Sequence, residues 1–228
     1  MIPHSFKKIL TLSYDDGVEQ DKKLVEILNK YGIKATFNLN SGIQSGSSQF
    51  TRNDVHIRRM NVASLPELYR GHEVAVHSLT HPRLNEQDED TIINELEQDI
   101  INLERIFGSK MLGMAYPYGT FNETVVKLVR KCGLLYARGV KSTHNYDIPD
   151  ELLTYQPTIH HNDPKLMEHA ETFIKLKPEN IQVFYVWGHS YEFDTDNNWQ
   201  VIEDFCKIIS GKDDIFYATN AEALLGNN

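Results

Sequence analysis

The chain has 228 residues, 40% of them hydrophobic, with 32 acidic against 23 basic side chains and a formal charge of −9. That length suits one well-cored domain and reaches the range of a single α/β barrel, and a mean hydropathy of −0.44 makes a soluble globular protein the default expectation. No apolar run approaches the length of a membrane span, and no basic cluster interleaves with aromatics, which argues against a nucleic-acid partner.

Apolar patterns alternate in type along the chain. Lys8 to Tyr14 reads as a buried strand, and residues 20–31 as a helix with Leu24, Val25, Leu28 and Tyr31 on one face and Gly32 as its stop. Lys34 to Asn40 is a second strand, and the polar stretch 43–62, with Ser45-Gly46-Ser47-Ser48 inside it, reads as a surface insertion. A short helix over 64–70, capped by Ser64 and ended by Gly71, precedes a strand over 72–77. A long helix over 88–107 carries Ile92, Leu96, Ile100, Leu103 and Phe107 at helical spacing. Met111 to Tyr116 is a strand, 122–132 a helix capped by Asn122 and stopped by Gly133, and Leu134 to Val140 another strand. A longer irregular link over 141–163 leads to helix 164–176, strand 181–187, helix 197–210 and strand 215–219.

Seven strands separated by helices predict an α/β fold of parallel strands with outer helices, in one domain spanning 1–228. A closed or nearly closed barrel fits better than an open sheet. No Gly-rich phosphate loop follows the first strand, and Asp15, Asp16, His77, Tyr118 and His189 each fall just after an apolar run, at the edge where such barrels build their sites. Cys132 and Cys206 lie in helical segments and read as small buried residues. The start, Met1-Ile2-Pro3-His4-Ser5-Phe6-Lys7-Lys8, has no long apolar region or cleavage site, so the chain as written reads as cytoplasmic; an exported chain stripped of its signal would read the same.

Two segments carry chemistry. Adjacent carboxylates at a strand end, as in Tyr14-Asp15-Asp16-Gly17, repel each other and lose solvation when partly buried. A divalent cation resolves the conflict, because one carboxylate binds it while the other stays free to move protons. His77-Ser78-Leu79-Thr80-His81 adds two imidazoles after the apolar run Val74-Ala75-Val76. One oxygen and two nitrogens are the three-ligand set of a catalytic metal site. Ser78 stands where a helical zinc-protease motif has glutamate, and Pro82 follows, so the histidines sit on a turn.

These segments resemble the polysaccharide deacetylases of carbohydrate esterase family 4. The family's Thr-Phe-Asp-Asp-Gly is matched by Ser13-Tyr14-Asp15-Asp16-Gly17, and its His-(Ser/Thr)-x-x-His by His77 to His81. Its Arg-x-Pro-Tyr-Gly is matched by Ala115-Tyr116-Pro117-Tyr118-Gly119 without the arginine, and its late Leu-x-His by Trp187-Gly188-His189. The resemblance implies a distorted (β/α)7 barrel that hydrolyses an acetyl group, usually an N-acetyl, on a sugar or glycan. It implies that Asp16, His77 and His81 hold the metal, usually Zn2+, with Co2+ or Ni2+ as further transition-metal candidates. Asp15 would then be the base acting on water, His189 the acid for the leaving amine, and the Tyr118 backbone N–H a donor to the oxyanion. The chemistry is self-consistent, since zinc lowers the pKa of bound water from about 15.7 to about 7, and histidine suits an acid working near neutrality.

Two departures matter. Ala115 replaces the arginine that pairs with the base in the family. Arg138 on the next predicted strand is about 4.8 Å away across the ladder and is expected to replace it. The family's carboxylate near the late histidine has no clean match, leaving Glu192, Asp194 and Asp163 as candidates, with Trp187 or Trp199 as the apolar wall. His160 and His161 read as a solvated loop pair outside the catalytic set. A related amidohydrolase acting on a small amide such as a ureide is the alternative reading, and an inactive carbohydrate-binding relative a third.

Overall fold

Strand β1 (Lys8–Asp15) is buried at every position and forms the axis of the sheet. A computed structural model describes residues 6–226, so the reading of the first five residues lies outside the described residues. After β1 come α1 (Asp21–Lys30), β2 (Thr36–Leu39), β3 (Gln49–Arg52), β4 (Val55–Arg58), α2 (Leu65–Leu68), β5 (Glu73–Val76) and α3 (Glu89–Phe107). The second half holds β6 (Gly113–Ala115), α4 (Glu123–Lys131), β7 (Tyr136–Arg138), β8 (Ile159–His160), α5 (Leu166–Lys175), β9 (Gln182–Gly188), α6 (Glu192–Thr195), α7 (Trp199–Ile209), β10 (Ile215–Ala218) and α8 (Asn220–Leu225).

The strands run in the order β7-β6-β5-β2-β1-β9-β8, with β10 against β1, and every pairing in this sheet is parallel. Residues 155–160 bring the two ends of that order together. The Tyr155 N–H donates to the Ala137 carbonyl on β7 at 3.1 Å, and Ile159 pairs with Val186 on β9. The result is the expected distorted barrel with helices outside.

Strand periodicity separates two cores. Leu10, Leu12 and Tyr14 face outward and pack with Leu24, Leu28, Phe193 and Phe205. Ile9, on the opposite face, packs with Tyr136, Tyr155, Val183 and Tyr185 inside the barrel. Above that apolar floor the inward positions turn polar. Thr11 Oγ1 donates to Asn220 Oδ1 at 2.8 Å, and Ser13 Oγ accepts from Asn38 Nδ2 at 2.9 Å and from Arg138 Nε at 3.2 Å. Asp15 is the next residue on this face, so the barrel interior grades from hydrocarbon to charge along β1.

The insertion at 43–62 is more structured than its composition implies. It contains the antiparallel hairpin β3–β4, with Ile57 fully buried against Val18 and Tyr191, and it ends in the buried Arg59. The 141–163 link likewise hides the two-residue strand β8, too short for a periodicity signal. The helix expected over 64–70 shrinks to α2 after a 3₁₀ turn at Val62–Ser64. Cys206 is buried as expected and Cys132 is half-buried; both are free thiols.

Asp21, fully buried at the start of α1, accepts hydrogen bonds from Ser190 Oγ at 2.5 Å and Tyr69 OH at 2.6 Å, tying this helix to the turn after β9. Burial pushes its carboxyl from 3.8 up to about 7 despite those donors. A folded-state pKa above the unfolded value gives stability that is fully present below about pH 4 and lost as pH rises to about 7. Asp21→Asn removes this titration. Urea melts between pH 4 and 7 are expected to show wild type losing on the order of 2–4 kcal/mol relative to the variant; parallel curves would refute the assignment.

Candidate metal centre and active site

Five strand ends converge on one pocket of about 280 Å³ whose lining includes Asp15, Asp16, His77, His81, Trp187 and His189. Parallel register does the gathering, since Asp15 ends β1, His77 follows β5, Tyr118 follows β6, Arg138 ends β7 and His189 follows β9. The turn after β1 is tight. Asp16 has φ 82° and Gly17 φ 60°, and a Cβ at Gly17 would sit 2.5 Å from Gln44 Nε2. The positive φ favours glycine there, and any larger side chain would have to push the ends of Gln44 and Leu39 aside.

The three residues expected to hold a metal come together. One ligand atom each from Asp16, His77 and His81 lies within 4.8 Å of the others. His77 Nδ1 donates to the Ala115 carbonyl at 2.7 Å, which fixes the tautomer and leaves Nε2 as the ligand nitrogen. His81 Nε2 faces Asp16 Oδ1 at 3.8 Å. The loop carrying both histidines hangs from α3, where Asp99 accepts from the Ser41 N–H at 2.7 Å and the His77 N–H at 3.2 Å, while Glu95 accepts from the Thr80 N–H at 2.8 Å. Burial lowers both imidazoles, helped at His77 by Arg138 and at His81, which falls to about 4, by His77, so both are neutral and ligand-competent at pH 7. The donor set suits a divalent transition metal.

Asp15 is held from the side. Its Oδ1 accepts from Arg138 Nη2 at 2.5 Å and Asn38 Nδ2 at 2.8 Å, while Oδ2 lies 3.9 Å from His189 Nε2. Arg138 pairs with Ala115 across the β6–β7 ladder, is 1% exposed, and lies 4.8 Å from the centre of the Trp187 ring. Burial pushes the Asp15 carboxyl up, but Arg138, His77 and His189 outweigh it and hold it at about 2. Asp16 shows the same balance, burial being overcome by His189, His77 and Arg59.

Glu192 is the carboxylate beside the late histidine. Its Oε2 lies 3.4 Å from His189 Nδ1 and accepts the His189 backbone N–H at 3.1 Å. Burial lowers His189, but the Glu192 carboxylate beside its ring, with Asp15 and Asp16, outweighs it and leaves the imidazole above its usual range. Asp194 instead accepts from Trp199 Nε1 at 2.6 Å, and of the two tryptophans Trp187 lines the pocket. The reading of His160 and His161 as a solvated pair is overturned. His161 is fully buried, and both rings turn Nε2 toward Glu192, at 3.0 and 3.2 Å. Gly188 makes the room, because a Cβ there would collide with the His161 ring.

Tyr118 sits in the left-handed region at φ 57° and is 52% exposed, forming a rim rather than a packed core residue. Its ring meets His81 edge-on at 4.6 Å between centroids and lies under the Arg83 guanidinium at 4.1 Å. Two further arginines gave no sequence signal. Arg59 Nη2 donates to Asp16 Oδ1 at 2.9 Å, and Arg52 reaches the pocket mouth, 3.5 Å from Glu192 Oε1. Both come from the hairpin segment inside the polar insertion.

The family model described as polysaccharide deacetylase matches residues 4–137, more than half of the chain. Over 165 residues the chain is 27% identical to a poly-beta-1,6-N-acetyl-D-glucosamine N-deacetylase of Staphylococcus aureus, covering 65% of this chain and 55% of that one. The chain spans about half or less of the length of the curated relatives it matches. In fold it is similar to the chitin deacetylase of Colletotrichum lindemuthianum, with TM-score 0.63, 20% identity and coverage of 96% of this chain and 88% of that one. It is also similar to a CE4 family pseudoenzyme from Bacillus anthracis, with TM-score 0.60, 19% identity and coverage of 97% and 66%. With the fold, the strand-end residues and the family match in agreement, this chain belongs to the polysaccharide deacetylase family.

Proposed function

We propose that the protein is a metal-dependent hydrolase that removes the acetyl group from an N-acetylated sugar, with Asp16, His77 and His81 holding Zn2+ or a similar ion such as Co2+ or Ni2+. The observation that carries this reading is the convergence of that ligand set with an ionised aspartate and a third histidine in one pocket. A divalent ion held there supplies Lewis acidity and brings water into the nucleophilic range near neutral pH.

The side chains divide the remaining work. Asp15 accepts the proton of the attacking water through Oδ2, since Oδ1 is committed to Arg138 and Asn38. Arg138 fixes the orientation of that carboxylate and keeps it ionised, the task the absent arginine at Ala115 would perform. The Tyr118 N–H faces the oxyanion of the tetrahedral intermediate. His189 delivers a proton to the departing amine, with Glu192 stabilising its charged form. Trp187, Tyr116 and Tyr191 wall the space for the acetyl group and the sugar ring. The pocket lies at the small end of ligand sites, which supports a second reading, hydrolysis of a small amide or ureide by the same machinery.

Assaying the zinc-loaded protein for released acid on a panel of acetylated monosaccharides, glycan fragments and ureides separates the two. Hydrolysis of acetamido sugars supports the first reading; turnover of ureides alone replaces it with the second. Turnover is expected to fall below about 1% after chelation and to return with Zn2+ or Co2+; activity that survives metal stripping would refute the metal role. Arg138→Ala is expected to lower kcat roughly 100-fold, and an unchanged rate and pH profile would refute its role. Because Glu192 raises His189, activity should fall as pH rises through the His189 pKa. Glu192→Gln should therefore move the alkaline limb of the kcat–pH profile to lower pH, and an unmoved limb would remove Glu192 from the mechanism.

A further inference from the structure

Glu192 is surrounded by imidazoles to an unusual degree. Its Oε2 lies 3.0 Å from His160 Nε2, 3.2 Å from His161 Nε2 and 3.4 Å from His189 Nδ1, while Oε1 lies 3.5 Å from Arg52 Nη1. His160, His161 and Glu192 also place ligand atoms within 4.8 Å of one another, the spacing of a second cation site.

The tautomer of His160 rules that use out. The Asn162 N–H donates to His160 Nδ1 at 3.1 Å, so Nδ1 is an acceptor and the ring proton of the neutral imidazole sits on Nε2, facing Glu192. A metal would need the opposite tautomer, as His77 has through its bond to Ala115. His160 therefore presents the Nε2–H side of its ring to the carboxylate, 3.0 Å from Oε2. Further contacts hold this arrangement. The His160 N–H donates to Ser142 Oγ at 3.2 Å, and its ring meets Trp187 edge-on at 4.6 Å between centroids. His161 has neither ring nitrogen in hydrogen-bond geometry with a described residue, and it packs on Phe193 at 4.1 Å and on Tyr14 at 5.6 Å. Its fully buried ring lies against Glu192, with Nε2 3.2 Å from Oε2.

We infer that His160, fixed as the Nε2–H tautomer by the Asn162 backbone, and the buried His161 are positioning residues that clamp Glu192 so that its Oε2 stays on His189. Neither lines the pocket; His160 meets it only through the edge of Trp187, and the atom that both imidazoles share with His189 is Glu192 Oε2. The clamp is built from β8 and the following turn, whereas Glu192 begins α6, so it joins two segments that the reaction needs in register. A carboxylate free to rotate would leave His189 with only the charges that face it from elsewhere, Asp15 and Asp16 at the end of β1 and Arg52 from β3, with Tyr191 against its ring. The inference rests on the deacetylase reading for its kinetic consequence, but the state of His189 can be read without turnover.

The test compares His160→Ala with His160→Gln, whose side-chain amide can still donate to Glu192, in zinc-loaded protein. His160→Ala is expected to lower kcat roughly tenfold with little change in KM, and to lower the His189 pKa, read by nitrogen NMR of the imidazole, by about one unit. His160→Gln is expected to restore both. Should the alanine variant not fold, His160→Leu takes its place. A His189 titration that is the same in wild type and the non-donating variant overturns the inference, as does equal impairment of the alanine and glutamine variants. A protein that turns over no acetylated sugar yet shows the NMR shift and its rescue overturns the deacetylase reading alone.

Discussion

Two carboxylates buried side by side at the end of β1 must be neutralised, and the rest of the site follows from how the fold does it. Asp15 and Asp16 are 3% and 5% exposed, so neither can rely on water. An uncompensated buried charge costs several kcal/mol. The chain answers with a separate guanidinium for each, Arg138 from β7 for Asp15 and Arg59 from beyond β4 for Asp16, while His77 and His81 bring nitrogen donors to the Asp16 side. The two residues thereby become chemically different despite being neighbours in sequence. Asp15 is held through Oδ1 by Arg138 and Asn38 with Oδ2 toward His189 at 3.9 Å, and Asp16 turns toward the imidazoles.

Departures from the family pattern read as relocations of the same interactions. The arginine absent at Ala115 has a counterpart one strand over, and the Ala115 carbonyl orients His77. The carboxylate for the late histidine comes from Glu192, three residues after His189, so one short turn carries both groups. Neither change alters the charge pattern that the reaction asks for, and that is why the pocket supports the hydrolase reading although its segments match imperfectly.

Much of this was legible in the sequence for a physical reason. In a parallel barrel the residues that follow each apolar run must meet at one rim, so Asp15, Asp16, His77, Tyr118 and His189 could be placed together without knowing any contact. Arg138 was reachable by the same logic, because adjacent strands lie within the reach of its side chain. Arg59 and Arg52 were not legible. They lie in a polar stretch whose hairpin is defined by pairing between β3 and β4 and by the packing of Ile57 under Tyr191, which composition does not encode. The sequence reads His160 and His161 as solvated, but the burial of His161 depends on the missing side chain of Gly188 and on Phe193, both distant in sequence, and His160 is half-buried against Trp187. Glu192 was one carboxylate among three, and only geometry separates it from Asp194, which is engaged by Trp199.

The central claim is that a single divalent ion belongs between Asp16, His77 and His81. The most direct measurement is anomalous scattering at the zinc edge from crystals grown with one molar equivalent of Zn2+. The account expects one peak within bonding distance of an Asp16 carboxylate oxygen and of Nε2 of both His77 and His81. A peak at His160, His161 and Glu192 instead, or none at the end of β1, would contradict it.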